Sequence, residues 1–332
     1  MSYFHVDNHG QLTGKQEQEQ NRIRLFLAIY NHKWLTAKQL GVIGWPKQNK
    51  DARRVSAFRF IKSAIADGLL LDRKIEKVGG TIAVLSHKGA LWMLERGYRV
   101  IGADKWGNFE SANWSPPSNY FHDFMINEFL TVELFLVAER HMNSESYLLN
   151  DSCKTLEYRH INERELKKTN KLAQVPDGLF WDEATRADYG DDDMPTMFIE
   201  CESYRKTGAK MRKMMTETAK REKYDNEIKL ELWLHPIELE KNESKHIKIN
   251  QSSTIFIYDV QQRDERGFKI DHRKRLISAF RQLFNERLRW DATIGKEEIT
   301  LYFAPFDSKT MQFLNQDSVK IERPKKIDIF QR

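Results

Sequence analysis

The chain has only two cysteines, Cys153 and Cys201, among 332 residues. That excludes a disulfide framework and a four-cysteine zinc site, and reduced thiols point to a cytoplasmic protein. No apolar run reaches the roughly 18 residues that a membrane-spanning helix needs. Residues 1–10 lack a basic segment followed by an apolar core, so no secretory signal is expected. No internal repeat is present, and no three-histidine metal cluster can be picked out. Excess charge of one sign is small, a net +6 with pI near 9.0. Charge itself is abundant, at 31% of residues beside 40% apolar ones, as in a soluble globular chain. The length suits two domains, or three small ones.

The positive charge is clustered. Residues 205–223 carry eight Lys or Arg against two acids, and residues 266–289 do the same. Residues 188–193 form an acidic turn by contrast. Basic clusters near a carboxylate site suit a polyanion partner, while solvated helix faces are the plainer alternative.

The first hundred residues read as helices followed by a hairpin. After a polar lead-in, Ile23, Phe26, Leu27 and Tyr30 share one helical face within residues 21–33. Thr36 has N-cap character for a short helix over 37–43. A third helix, from Asp51 or a neighbour to about Asp67, is expected to turn Val55, Phe58, Ile61 and Ile65 inward, with Gly68 ending it. Residues 69–74 and 81–85 read as strands around a turn, and a further helix covers 88–96. Residues 102–118 hold Gly, Asn, Ser and the pair Pro116 and Pro117, and read as a linker. A helix over 120–142 follows, with Phe124, Phe129, Val132 and Leu136 recurring at helical spacing and His122 and Glu128 also on it. Later segments read as a short strand within 145–160, a basic helix over 207–224, strands at 228–234, 253–258 and 299–303, and an amphipathic helix over 271–289.

The stretch richest in chemistry begins at residues 175–181, Val-Pro-Asp-Gly-Leu-Phe-Trp, where Asp177 precedes a short apolar strand. Residues 197–202, Met-Phe-Ile-Glu-Cys-Glu, are a strand by composition. Alternation puts Phe198, Glu200 and Glu202 on one face and Met197, Ile199 and Cys201 on the other. Two carboxylates on one face of an apolar strand are costly to bury without compensation. If Asp177 lies beside them, three carboxylates converge, which suits a hard cation such as Mg²⁺. An exposed acidic strand edge is the alternative. Cys201 reads as a small apolar filler. Trp106, Trp114 and Trp181 are candidates for stacking on unpaired bases or for the core. No motif selects a nucleophile among Tyr120, Tyr204 and Tyr224, and His235 reads as structural.

Three helices and a hairpin in this order resemble a winged helix-turn-helix module, with residues 35–40 fitting its second helix. The resemblance implies that the third helix meets DNA through Arg53, Arg54, Arg59 and Lys62. The order helix, strand, Pro176-Asp177 strand, Glu200-Cys201-Glu202 strand, basic helix, strand resembles the restriction-endonuclease-like fold and its PD-(D/E)xK motif. Here 22 residues separate Asp177 from Glu200, and Glu202 stands where that family usually has Lys. The whole layout, with His122, Asn127 and Glu128 on the preceding helix, resembles the replication-relaxation proteins of mobile elements. It is also similar to the MobC-type mobilisation relaxases.

That resemblance implies an α+β protein of two domains. A winged helix would cover 20–100 and a linker 101–118, followed by a nuclease-like mixed sheet flanked by helices over 119–305 and a basic polar tail over 306–332. It implies a cytoplasmic endonuclease or relaxase of a plasmid or integrative element that nicks DNA at an origin. Asp177, Glu200 and Glu202 would hold Mg²⁺ or Mn²⁺, Glu128 would complete the site, and Lys206 or Lys210 would steady the transition state or contact DNA. His122 is a further candidate near the site. Partners would be origin DNA and other relaxosome or coupling proteins. A non-catalytic DNA-binding factor with a decayed nuclease domain and a double-strand endonuclease are the competing readings.

Overall fold

The structure, a computed structural model, describes residues 14–78, 80–98, 116–142, 158–163, 166, 175–182, 195–202, 208–221, 228–233, 244–249, 251–285 and 298–322. Helix α1 (Gly14–Asn31) starts inside the polar lead-in, whose Glu, Gln and Lys are good helix formers. Strand β1 (Leu35–Thr36) runs into α2 (Ala37–Gly44) through a capping box. The Thr36 hydroxyl accepts from the Gln39 N–H at 3.3 Å, and the Gln39 side chain accepts from the Thr36 N–H at 2.8 Å. Asn49 caps α3 (Lys50–Ala66), accepting from the Ala52 N–H at 2.9 Å. Gly68 then takes the left-handed conformation, φ 73°, that ends a helix cheaply only at glycine.

Strands β2 (Leu70–Ile75) and β3 (Gly80–Leu85) pair antiparallel, and β1 joins the other edge of β3 to give the order β1-β3-β2. Helix α4 (His87–Leu94) folds back onto them. It comes so close that a Cβ on Gly89 would lie 2.2 Å from the Leu69 carbonyl oxygen.

One expectation for α3 fails. Ala57, Ile61 and Ala64 are its buried residues, whereas Val55 and Phe58 are 48% and 43% exposed. A small-residue stripe at i, i+4 and i+7 fits a helix held close to its neighbour. A Cβ on Gly41 of α2 would come within 3.0 Å of the Arg53 carbonyl oxygen.

Helix α5 (Tyr120–Glu128) passes through a π turn at Phe129–Glu133 into α6 (Leu134–Met142). All five residues of that wider turn are buried, but Leu136 beyond it is 39% exposed. The inserted residue rotates the stripe, so the apolar spacing expected of one regular helix does not hold across it. Strands β4 (Tyr158–Asn162), β5 (Gly178–Asp182) and β6 (Pro195–Glu202) pair antiparallel in succession. Helix α7 (Gly208–Arg221) and the hairpin β7 (Ile228–Trp233) and β8 (Ser244–Ile249) then lead to β9 (Gln251–Asp259), parallel to β6. Helix α8 (His272–Asn285) leads on to β10 (Glu298–Asp307), parallel to β9.

The chain beyond residue 305 is more than a polar tail. Strands β11 (Gln312–Phe313) and β12 (Asp317–Glu322) both pair antiparallel with β10. The fold is therefore mixed α and β, with one seven-stranded mixed sheet. Among the described residues no helix is long and apolar enough to cross a membrane.

The apolar interior has three parts. One lies within α1–α4. A second is shared: Trp34, just before β1, and Ile82 and Val84 of β3 pack with Phe124, Phe129 and Ile199 of the larger part. A third joins the opposite face of the large sheet, through Phe256 and Phe303, to Met215 of α7 and Phe280 of α8. Most of the expected linker, residues 102–115, lies outside the described residues.

Candidate functional site

The two faces of β6 have different neighbours. Ile199 and Cys201 pack toward α5. Glu200 and Glu202 stand in parallel register with Phe256 and Tyr258, which belong to the core under α7 and α8. Both glutamates are buried, at 4% and 0% exposure.

Asp177 just precedes β5, and its N–H donates to the Ile199 carbonyl at 3.0 Å. Gly178 already faces Ile199 in the ladder. Two consecutive residues thus stand against one of β6, and the alternation of faces is offset there as in a bulge. The Asp177 Oδ2 accepts from the Cys201 N–H at 2.7 Å, so this carboxylate closes the end of the β5–β6 ladder between the positions of Glu200 and Glu202. On its α5 side, His122 Nε2 lies 3.3 Å from the same oxygen. Burial alone pushes the His122 imidazole down, but the nearby carboxylates of Asp177 and, 3.5 Å from Nδ1, Asp123 override it and push the ring up to about 10.

Glu128 sits elsewhere. Its carboxylate accepts from Lys38 and, at 3.1 Å, from the Gln39 side chain, both on α2. Burial pushes its carboxyl up against the opposing pull of these two partners. It therefore ties α5 to α2. Among the described residues no three His, Cys, Asp or Glu side chains come together as a metal group. Lys206 lies outside the described residues, as do Tyr204, Tyr224, Trp106, Trp114 and His235. Lys210 is exposed on α7, and Arg54, Arg59 and Lys62 are exposed on α3. Arg53 is not. It pairs with Glu139 at 2.9 Å and covers the Phe135 ring at 4.5 Å, joining α3 to α6.

Sequence reasoning missed the polar seam beside Asp177. Asn31, His32 and Lys33, between α1 and β1, line a small pocket with Asp123, Asn127, Glu163 and Asp177. Its volume of about 20 Å³ is room for one water. Lys33 adopts φ 68°, a left-handed conformation uncommon outside glycine, and its ammonium reaches Asp123 at 3.0 Å and Glu163 at 3.4 Å.

Asn127 is the pin of this seam. Its amide NH₂ donates to the carbonyls of His32 (3.1 Å) and Trp34 (2.9 Å), so its oxygen is the acceptor for His32 Nδ1 at 2.8 Å. His32 then carries its proton on Nδ1 and presents a lone pair at Nε2. That atom lies 3.0 Å from His160 Nε2, which must donate. Burial keeps both rings neutral, pushing His32 down to about 4 and His160 well below its ordinary value. The visible signal was three successive polar residues between the apolar Tyr30 and Trp34. Compared with known proteins, the chain matches no family model, no curated protein and no solved structure.

Proposed function

We propose that this chain binds DNA and nicks it, as an endonuclease or relaxase of a plasmid or mobile element. The observation that carries the reading is Asp177, fastened through the Cys201 N–H to the strand that bears Glu200 and Glu202. The strand order supports it. Three antiparallel strands are followed by two parallel ones reached through α7 and α8, the order of the restriction-endonuclease-like fold. The helix, short strand, two helices and hairpin ahead of it support the winged-helix part of the reading. No match to a known protein contributes to this reading.

Asp177 and Glu200 are oxygen donors suited to a hard cation, and Mg²⁺ is commonly bound by one or two carboxylates together with waters and substrate phosphate. A pair fits that pattern where a closed three-acid cage does not form. When bound, Mg²⁺ or Mn²⁺ would polarise a phosphoryl oxygen and acidify its water. The chain's own contribution is positional. The Cys201 N–H and His122, both against Oδ2, fix the direction of the Asp177 carboxylate. Glu202, on the face of Glu200, takes the role of further ligand or general base in this reading. Lys210 on α7 and the undescribed Lys206 would meet the DNA backbone.

The second reading, a DNA-binding factor without cleavage, is favoured by Glu202 standing where the motif usually has Lys. Supercoiled plasmid incubated with the protein, with and without Mg²⁺ or Mn²⁺, separates the two. Open circle that requires the cation and is lost in Glu200→Ala is expected. Retarded but uncut plasmid would favour the non-catalytic factor, linear product a double-strand endonuclease. Nicking at the wild-type rate by Glu200→Ala would remove the site.

A further inference from the structure

The outward face of α3 is unusual in its chemistry. Asp51, Arg54, Val55, Phe58, Arg59 and Lys62 are all exposed on it, spaced as successive turns of one face. Single exposed apolar side chains are ordinary on a protein surface. Here two large ones lie one turn apart at the middle of the face, 48% and 43% exposed, while smaller alanines fill the core side. Cations surround them. The Arg54 guanidinium stands 5.6 Å from the Phe58 ring centroid, and Arg59 and Lys62 follow within one turn, with Asp51 the single acid on the face.

A partner for this face must offer apolar spots inside a strongly anionic surface. Duplex DNA does so in its major groove, where the 5-methyl of thymine is the apolar group and phosphates line both walls. A neutral protein groove would satisfy Val55 and Phe58 but leave three cations to be desolvated without partners.

We infer that α3 reads thymine, Val55 and Phe58 packing on 5-methyl groups while Arg54, Arg59 and Lys62 take phosphates and base edges. This rests on the DNA-binding reading above and adds a base preference to it. The division of labour predicts two kinds of variant. Loss of an apolar side chain weakens binding only to thymine-bearing sites. Loss of a cation weakens binding to all sequences and lowers the salt dependence by about one counterion.

The test uses the full chain and a randomised duplex pool. Duplexes selected by the wild-type protein are remade with uracil for thymine, which deletes only the methyl, and both forms are measured by fluorescence anisotropy at fixed salt. Wild type should bind the uracil form about fourfold more weakly per contacted methyl, the ratio that burying one methylene gives. Val55→Ala and Phe58→Ala should bind thymine DNA more weakly and discriminate less, Phe58→Leu should keep the preference, and Arg59→Gln should weaken both forms equally. Both apolar positions are exposed, and circular dichroism confirms that the variants fold. Equal wild-type affinity for the two forms overturns the inference while leaving DNA binding intact. Enrichment of no duplex overturns the DNA reading itself. Unchanged DNA affinity in Phe58→Ala, with conversion of a wild-type dimer to monomer, would assign the face to a second copy and also overturn the inference.

Discussion

Helices α3 and α5 break the usual sorting of side chains in opposite directions. Helix α3 exposes Val55 and Phe58, whereas α5 buries Asp123, Asn127 and Glu128. The difference shows in what each face touches. Three buried polar side chains on α5 have partners across a seam: Asp123 with Lys33, Asn127 with His32 and Trp34, Glu128 with Lys38 and Gln39. All of these partners belong to the α1–α2 region, so the network's first consequence is to fix the N-terminal elements against the large sheet. The apolar pair on α3 stands among cations and looks outward. On α5 the buried polarity is therefore structural, and on α3 the exposed apolarity is where an outside partner is to be sought.

That contrast sets the expected ranking of variants. Asn127→Ala should be the most damaging. It strands the His32 and Trp34 carbonyls and His32 Nδ1, and a loss of about 2–4 kcal/mol is expected from urea unfolding. A change below about 0.5 kcal/mol would show that the seam is dispensable.

The His32–His160 pair should give the next largest effect, through pH. Both folded rings titrate below the ordinary histidine value, His32 at about 4. The unfolded chain takes up their protons first as pH falls from about 6.5, so stability is lost across that window and, for His32, levels off below about 4. Lys33, Asp123 and Glu163 line the same pocket. Replacing the ring with a polar group that cannot titrate, His160→Asn, should flatten the urea midpoint against pH between 6.5 and 4.5 relative to wild type. An unchanged slope would mean that the pair is not neutral in the folded state.

Glu128→Ala should cost less, about 1–2 kcal/mol. It leaves the buried Gln39 amide without its carboxylate, while Lys38, with its side chain 49% exposed, can turn to water. Glu128→Gln should recover most of that loss, and its nicking activity should match wild type, because the bonds of Glu128 go to Lys38 and Gln39. Complete loss of nicking in a stably folded Glu128→Gln would return this residue to the catalytic site. Smallest of all, Phe58→Ser and Val55→Ser should change stability by less than about 0.5 kcal/mol, since neither is core. A loss above about 2 kcal/mol would place α3's outer face against something within the chain.

Much of the fold was legible because its signals are local. The Thr36–Gln39 capping box, Gly68 and the alternation along 197–202 all act within a few residues, and each appears where its spacing put it. The errors share a different origin. On α3, the pattern Val55, Phe58, Ile61 competes with Ala57, Ile61, Ala64. A count of large apolar residues prefers the first, although close helix packing rewards the second. On α5, nothing local announces the π turn or the bonds of Glu128 to α2. The strands β11 and β12 were missed because their sequence is polar on one side and short. The candidate site was half legible. Asp177 and the Glu200–Glu202 pair are visible as motifs, but the offset at Asp177 depends on a contact 24 residues away, and the His32, Asn127, His160 seam on contacts made across 95 to 128 residues of chain.

The central claim is that Asp177 and Glu200 form one cation-holding pair while Glu128 does not belong to it. Thermal unfolding of wild type and of Asp177→Ala, Glu200→Ala and Glu128→Gln, each with and without millimolar Mn²⁺, tests this directly. A Mn²⁺-dependent rise in Tm is expected for wild type and Glu128→Gln and should vanish in Asp177→Ala and Glu200→Ala. An equal rise in all four proteins, or none in the wild type, would contradict it.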